Sequence, residues 1–256
     1  MKKQIMIIGG GSTGLSTALE LAKLSGKTYE IIILEKNFVG SGQTGHCCGF
    51  VRNFYNKKEM IFSAHESMKA IKKICAESKE LAYEKKGLLV IDSIQNKATM
   101  KENAKLLRSM NVAVKYLEED EINSIHPFVV VKDSCAVLDE DAGYVNPKLM
   151  IDYLKNECLR HGVKILEHTE VVNITQEKNG FYVETNTSNF TVDKICNATA
   201  AYTNKISGML GFKLPIKVIK INNCFYRLPT GPNKYLVAIA DFKNLFYSIP
   251  HKEFAD

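Results

Sequence analysis

The fold is decided by the stretch Ile5-Met6-Ile7-Ile8-Gly9-Gly10-Gly11-Ser12-Thr13-Gly14. A short apolar run, which predicts a buried parallel strand, leads directly into glycines spaced as G-x-G-x-x-G. Apolar residues then recur at helical spacing over residues 15–24. A second apolar run, Ile31-Ile32-Ile33-Leu34, ends on Glu35. This order predicts a β-α-β unit that binds a dinucleotide.

Each position of the glycine motif has a physical reason. Gly9 allows the tight turn out of the strand, Gly11 lets the backbone approach a pyrophosphate, and Gly14 lets the helix pack close to the sheet. N–H groups at the helix N-terminus attract the anion. Glu35 is placed to accept hydrogen bonds from ribose hydroxyls. The alternative is an ordinary β-α-β turn without a ligand, and the flanking strands, helix and carboxylate argue against it.

Composition excludes several classes of protein. The 256 residues, 45% of them apolar and 24% charged, are typical of a soluble globular chain with one large domain or two intertwined ones. The net charge of +6 comes from scattered lysines without interleaved aromatics, which favours a solvated surface over a nucleic-acid interface. No stretch reaches transmembrane length. The seven cysteines include no C-x-x-C pair, which predicts reduced thiols and a cytoplasmic protein.

The rest of the chain alternates between two patterns. Residues 36–49 form a loop rich in glycine and small side chains, which lets backbone pass close to a planar ligand. Residues 57–85 have the spacing of a lysine-rich amphipathic helix. Residues 87–139 lack β-α-β alternation and predict a separate antiparallel layer. The alternation returns over residues 141–201, and residues 214–256 again predict strands of the antiparallel layer.

Four segments in this order resemble the D-amino-acid-oxidase-like (DAO) family of FAD-dependent oxidoreductases, which includes glycine oxidase, sarcosine oxidase and dimethylglycine dehydrogenase. They are the glycine motif with Glu35, the loop from Ser41 to Arg52, Asp141-Ala142-Gly143-Tyr144-Val145-Asn146-Pro147, and Asn197-Ala198-Thr199. The third is similar to the family's D-A-G-x-V-x-P and the fourth to its N-A-T-G. The glycine motif alone is compatible with NAD, whereas the order of all four argues for FAD.

The resemblance implies a fold and a cofactor site. The fold class would be α/β, a Rossmann-like FAD/NAD(P)-binding domain over residues 1–86 and 140–212 with an interleaved antiparallel α+β substrate domain over residues 87–139 and 213–256. The glycine motif would bind the FAD pyrophosphate, Glu35 the adenosine ribose, the backbone at Val171 the adenine, and Thr44 with its neighbours the flavin. The implied cofactor-binding residues are Gly9, Gly11, Ser12, Thr13, Gly14, Glu35, Lys36, Ser41, Thr44, His46, Val171, Ala198 and Thr199.

The resemblance implies a specific role for each of two residues, Arg52 and His46. Arg52 falls where sarcosine oxidases carry an arginine near the flavin, so it either stabilises anionic reduced flavin, binds a substrate carboxylate, or is a structural arginine. Thr44-Gly45-His46-Cys47-Cys48-Gly49 resembles the T-x-H-x-x-G stretch of dimethylglycine and sarcosine dehydrogenases, whose histidine is bonded covalently to the flavin. His46 is therefore either a covalent FAD ligand or an ordinary loop histidine. No other catalytic residue is assigned.

The sequence also departs from the family. Ala200 stands where the family usually has glycine, and Tyr202 where it often has tryptophan. Family members continue beyond the position of residue 256 with a strand-helix segment that completes the flavin domain. The resemblance therefore predicts a truncated member, a fragment, or one half of a split enzyme whose second chain supplies that segment.

The implied reaction is oxidation of a small amine or amino acid, in which a hydride passes to flavin N5 and an imine is formed. One alternative is a noncatalytic or partner-dependent flavin-binding subunit. Another is an NAD-linked dehydrogenase or a 2-hydroxy-acid oxidoreductase.

Overall fold

The computed structural model describes residues 2–26, 28–78, 80–125, 129–221 and 237–250. The helices are α1 (Ser12–Ser25), α2 (Lys58–Glu77), α3 (Lys97–Ser109), α4 (Glu119–Ile125), α5 (Pro147–Arg160) and α6 (Thr203–Met209). The strands are β1 (Lys3–Ile8), β2 (Tyr29–Leu34), β3 (Phe50–Val51), β4 (Tyr83–Lys85), β5 (Leu88–Ser93), β6 (Val114–Leu117), β7 (Ser134–Asp139), β8 (Gly143–Val145), β9 (Lys164–Leu166), β10 (Val171–Glu177), β11 (Gly180–Thr185), β12 (Asn189–Val192), β13 (Lys194–Asn197), β14 (Ala238–Asp241) and β15 (Phe246–Ser248).

The chain divides into two compact units. Unit 1 comprises Met1–Cys48 and Asn146–Asn222, and unit 2 comprises Gly49–Val145 and Asn223–Asp256. The boundaries differ from the expected ones at residues 86, 140 and 212. Residues 49–86 lie in unit 2 because Phe54 and Ile61 are fully buried in its core. Residues 140–145 stay in unit 2 because β8 pairs with β3 and β4.

Unit 1 contains the predicted β-α-β fold. Its four-stranded sheet has the order β13-β1-β2-β9, and all its pairs are parallel. One face of the sheet packs on the antiparallel meander β10-β11-β12, in a core that includes Met6, Ile8, Ile32 and Leu34. Strand side chains alternate in direction, so Ile5, Ile7 and their neighbours in β2 point to the opposite face. The expectation of a Rossmann-like domain is confirmed.

In unit 1, helix α5 begins at a side-chain cap and packs against α1. At the start of α5, Asn146 Oδ1 accepts hydrogen bonds from Lys148 N at 3.0 Å and Leu149 N at 3.3 Å. Pro147 occupies the first turn, where a missing N–H costs nothing. α5 packs against α1, and Cys158 Sγ donates to Leu15 O at 3.3 Å.

Unit 2 is built on a five-stranded sheet with the order β15-β14-β5-β7-β6. Its pairs are antiparallel except for β14 and β5, which are parallel. A second, antiparallel sheet has the order β3-β8-β4. The expected antiparallel layer is therefore a mixed sheet. Residues 222–236 and 251–256 of the predicted C-terminal strands, including Cys224, lie outside the described residues.

The predicted helix over residues 57–85 is shorter than expected. It ends at Glu77, and Tyr83–Lys85 forms β4 instead. The extended conformation is favoured because β4 pairs with β8 and the Tyr83 hydroxyl donates a hydrogen bond to Asp141 O. Across the part of the chain that the structure describes, no helix combines the length and apolar character needed to span a membrane.

Candidate functional site

The glycine turn between β1 and α1 is tightly packed. Gly9 has φ +112°, and a Cβ atom at this residue would lie 2.5 Å from Ala198 O. A Cβ atom at Gly14 would lie 1.9 Å from Gly9 O. Side chains cannot be placed at such distances, so both positions require glycine. The turn thereby brings α1 close to the ends of β1 and β13.

The N-terminus of α1 is suited to an anion. Its N-cap residue, Gly11, has no side chain to cap the helix. Ser12 N donates to Thr44 Oγ1 at 3.1 Å, which ties the loop after β2 to the helix. Thr13, the next residue, is exposed. The helix dipole and N–H groups of the first turn therefore face a position where a phosphate is stabilised.

Glu35, at the end of β2, is held in one orientation. Its carboxylate accepts hydrogen bonds from Gly10 N at 2.8 Å and from Asn37 N at 3.0 Å. Its own backbone is fixed as well, because Glu35 N donates to Leu166 O and Thr169 N donates to Glu35 O. A carboxylate has about four acceptor positions, so two remain for other donors. Paired ribose hydroxyls match this arrangement.

Lys36 and Tyr202 form a second contact in unit 1. Lys36 Nζ lies 3.8 Å from the centroid of the Tyr202 ring, a cation–π geometry. Both side chains are exposed. Tyr202 stands where the family often has tryptophan, and an aromatic ring suffices for this contact. The sequence did not predict the pairing, because the two residues are distant along the chain.

The loop after β2 folds back onto the glycine turn. Gly40 N donates to Gly10 O at 3.0 Å, and Ala201 N donates to Gln43 Oε1 at 3.3 Å. Ser41 and Thr44 are half-buried. His46 is exposed, and its ring has no hydrogen-bond partner among the described residues. The loop therefore positions Ser41 and Thr44 firmly and leaves the His46 side chain free to meet a ligand.

Asn197 braces the turn that follows β13. Its Oδ1 accepts hydrogen bonds from Thr199 Oγ1 at 2.6 Å and Thr199 N at 3.3 Å, and its Nδ2 donates to Thr203 O at 3.0 Å. Ala198 N donates to Ile8 O at 2.9 Å. The motif resemblance predicts Ala198 and Thr199 as site residues but not Asn197. The signal was present, because an asparagine that opens a turn commonly bonds to the backbone two residues later.

Ala200 has φ +50°, a conformation that favours glycine. We expect Ala200→Gly to raise the free energy of unfolding by up to about 1 kcal/mol, since it removes the strain of a left-handed alanine. The side chain is exposed, so little packing is lost. The neighbouring Ala201→Gly is the matched control and should lower stability. Denaturant unfolding measures both, and a loss of stability in Ala200→Gly would contradict the strain.

Unit 1 brings together the predicted cofactor residues of the glycine turn, the β2 loop and the β13 turn. Val171, at the start of β10, is buried in the same core as Ile8 and Leu34. No group of three or more histidine, cysteine, aspartate or glutamate side chains could hold a metal ion within the described ranges. The N-terminus of α1, with a glycine as its N-cap residue, and the oriented carboxylate of Glu35 fit the pyrophosphate and ribose of FAD.

Arg52 lies in unit 2. Its guanidinium carbon is 4.2 Å from the Tyr55 ring centroid and 5.4 Å from that of Phe242. The side chain is half-buried, and no carboxylate forms an ion pair with it in the described part of the chain. Arg52 therefore keeps N–H donors available for an anion.

Comparisons with known proteins agree with this geometry. The model of the family "FAD dependent oxidoreductase" matches residues 4–253. The β subunit of sarcosine oxidase from Rhodobacter capsulatus is 23% identical over 95% of this chain and 60% of its own length. L-2-hydroxyglutarate dehydrogenase from Indibacter alkaliphilus is 26% identical over 99% of this chain and 63% of its own length. The crystal structure of L-proline dehydrogenase from P. horikoshii has a TM-score of 0.72 and 29% identity, over 84% of this chain and 57% of that chain.

Proposed function

Because the chain belongs to the DAO family of FAD-dependent oxidoreductases, we propose that it oxidises a small amino acid or amine with FAD as the hydride acceptor. One observation carries the cofactor assignment. The Glu35 carboxylate is held by Gly10 N in the same turn that leads into the N-terminus of α1, whose N-cap residue is a glycine. This arrangement presents a ribose-binding carboxylate and a phosphate-binding helix end side by side.

The proposed cofactor contacts follow from the site. The backbone of Gly9, Gly11, Ser12, Thr13 and Gly14 binds the pyrophosphate, Glu35 binds the adenosine ribose, and the backbone at Val171 meets the adenine. Lys36, next to Glu35, contributes a positive charge near the nucleotide. Ser41, Thr44, His46, Ala198 and Thr199 line the side of the flavin. FAD, when bound, supplies the acceptor for a hydride.

Arg52 is proposed to bind a carboxylate of the substrate. Relatives are named for sarcosine, L-proline and L-2-hydroxyglutarate, and all three molecules carry a carboxylate. A guanidinium without an ion-pair partner binds a carboxylate through two parallel hydrogen bonds. An amine that binds neutral needs no strong protein base, and we assign none.

A 2-hydroxy acid is the second candidate substrate. The observation that favours it is the alignment with L-2-hydroxyglutarate dehydrogenase, which extends over 99% of this chain. A hydroxyl, unlike a neutral amine, must lose its proton as the hydride leaves, so this reaction requires a base. The two candidates are distinguished by which substrate reduces the flavin.

The test is anaerobic reduction of the flavin, followed by absorbance, with sarcosine, glycine, L-proline and L-2-hydroxyglutarate. We expect bleaching with one or more of the amino acids. Bleaching by the 2-hydroxy acid alone would replace the amine assignment with the second candidate. A flavin that no member of the panel reduces would contradict both.

We expect FAD to be bound without a covalent link. His46 is exposed and its ring is not held by any described residue, whereas covalent attachment needs an imidazole fixed against the flavin. Acid precipitation of the purified chain should release the flavin absorbance into the supernatant. Colour in the pellet that disappears in His46→Ala would instead establish His46 as the covalent ligand.

A partner chain and a cytoplasmic location complete the proposal. One relative is by name a subunit, and the chain spans 60% of its length. We propose that this chain also assembles with a second polypeptide, which would then co-purify with it, whereas an active single-chain enzyme would contradict that arrangement. The described cysteines are free thiols, consistent with a reducing compartment.

A further inference from the structure

Arg52 is part of an irregular stretch between β3 and α2, residues 52–56, which we call the Arg52 segment. Irregular backbone usually runs over the surface, where water satisfies its polar groups. Asn53 and Phe54 are instead buried, at 1% and 0% exposure. The backbone of this segment therefore depends on protein partners for its hydrogen bonds.

Asp139 binds the N–H groups of the segment. It is fully buried at the end of β7. Its Oδ2 accepts from Asn53 N at 2.7 Å and Phe54 N at 3.1 Å, while its Oδ1 accepts from Asp141 N at 3.2 Å and Asn53 Nδ2 at 3.4 Å. Burial raises the pKa of Asp139, and these hydrogen bonds oppose the rise. Placing a carboxyl group here is costly, but an apolar side chain would leave the two backbone donors unpaired.

Asn103 binds the carbonyl groups of the same segment. It lies on α3 and is 1% exposed. Its Nδ2 donates to Tyr55 O at 3.0 Å and to Asn56 O at 2.9 Å. Asp92 on β5 adds a longer contact, since its Oδ2 accepts from Asn56 Nδ2 at 3.4 Å. Side chains from three elements of unit 2 thus fix both the donors and the acceptors of the Arg52 segment.

The segment held by these side chains carries an arginine that contacts two aromatic rings. Phe54 is fully buried in the core of unit 2, so it anchors the segment. The adjacent Tyr55 lies under the guanidinium of Arg52, and Phe242 flanks it. The rings restrict the guanidinium without consuming its N–H donors. The segment therefore carries a fixed cation whose hydrogen-bonding capacity is still available.

We propose that Asp139 and Asn103 are positioning residues that hold the Arg52 segment so that the guanidinium meets the substrate carboxylate without rearrangement. This inference rests on the proposed function, because it takes Arg52 as the carboxylate-binding residue. A preorganised group loses less freedom when its ligand binds. Misplacing such a group by about 1 Å can cost up to about 100-fold.

The experiment compares steady-state kinetics of Asp139→Asn, Asn103→Ala and Arg52→Gln, using whichever of sarcosine, L-proline or L-2-hydroxyglutarate reduces the flavin. We expect each positioning variant to raise KM by about tenfold with a much smaller change in kcat. In an Arg52→Gln background the same substitutions should add nothing further to KM, because the group that they position is gone. Leu107→Ala, on the same helix and in the same core as Asn103, should lose stability without changing KM.

A second measurement does not depend on turnover. Hydrogen exchange at the amides of Asn53 and Phe54 should accelerate in Asp139→Asn and stay slow in Leu107→Ala. If Asp139→Asn does not fold, the KM comparison can be made with Asn103→Ala alone and with the double variant of Asn103→Ala and Arg52→Gln.

The outcomes distinguish failure of the proposed function from failure of the positioning role. A flavin that no substrate in the panel reduces would overturn the proposed function and, with it, the positioning role. An unchanged KM in Arg52→Gln would overturn the carboxylate-binding role of Arg52 and the positioning role, and would leave the oxidation itself standing. A raised KM in Arg52→Gln with wild-type values in Asp139→Asn and Asn103→Ala would overturn the positioning role alone. The positioning role would also be overturned if Asp139→Asn and Asn103→Ala raised KM by the same factor in the wild-type and in the Arg52→Gln background.

Discussion

Gly14→Ala is expected to yield a chain that retains no FAD. The new methyl group would lie 1.9 Å from Gly9 O, well inside contact distance. Either α1 or the turn must move, and both carry the N–H groups proposed to bind the pyrophosphate. Overpacking of this kind costs about 1–3 kcal/mol or more of stability, so a lower unfolding midpoint should accompany the loss of flavin.

The measurement for Gly14→Ala is the ratio of flavin to protein absorbance after gel filtration. Gly208→Ala is the matched control, because Gly208 is also helical and a Cβ atom there would meet nothing within 4 Å. The control should retain FAD and gain about 0.5–1 kcal/mol from higher helix propensity. A Gly14→Ala protein with the wild-type flavin ratio would show that the turn does not bind the cofactor.

Arg52→Gln is expected to raise KM for a carboxylate substrate by about 100-fold. Charge-assisted hydrogen bonds to a carboxylate contribute about 1.5–3 kcal/mol, and each tenfold change corresponds to about 1.4 kcal/mol. The loss should fall mainly on KM, because the carboxylate is bound equally in the ground state and the transition state. Arg52→Lys should be intermediate, since lysine keeps the charge but lacks the planar fork.

The control for Arg52→Gln is Lys101→Gln. Lys101 also lies over an aromatic ring, with Nζ 4.6 Å from the Tyr116 centroid, but it is paired with Glu118. Removing this cation should leave KM unchanged. An unchanged KM in Arg52→Gln as well would assign Arg52 a purely structural role in stacking against Tyr55 and Phe242.

The parts of the fold that follow from local spacing could be predicted from the sequence. The β-α-β unit needs only an apolar run, a glycine turn and a helix, and all of these lie within residues 3–34. The parallel pairing of β14 with β5 could not be predicted, because it depends on contacts between distant segments. The same reason explains why residues 49–86, expected in the FAD-binding domain, lie in unit 2. Their helical period is clear, but the period does not reveal which core Phe54 and Ile61 enter.

For the candidate site, residue types were predictable and the contacts between them were not. The sequence indicated Glu35, Thr44 and Ala198-Thr199 through motif resemblance. It did not show that Gly10 N orients the Glu35 carboxylate or that Asn197 braces Thr199. Asp139 and Asn103 gave no signal at all, since a lone aspartate at a strand end and a lone helical asparagine are common. Their importance is visible only where their side chains meet the backbone of residues 53–56.

The strand order of unit 1 has a consequence for biosynthesis. β1 is translated about 190 residues before β13, which is one of its two neighbours in the sheet. Until then, one edge of β1 has no native partner and can pair with other chains. Pairings between such distant segments form slowly. The nascent chain therefore depends on rapid closure of this edge, or on chaperones that shield it, to avoid aggregation during synthesis.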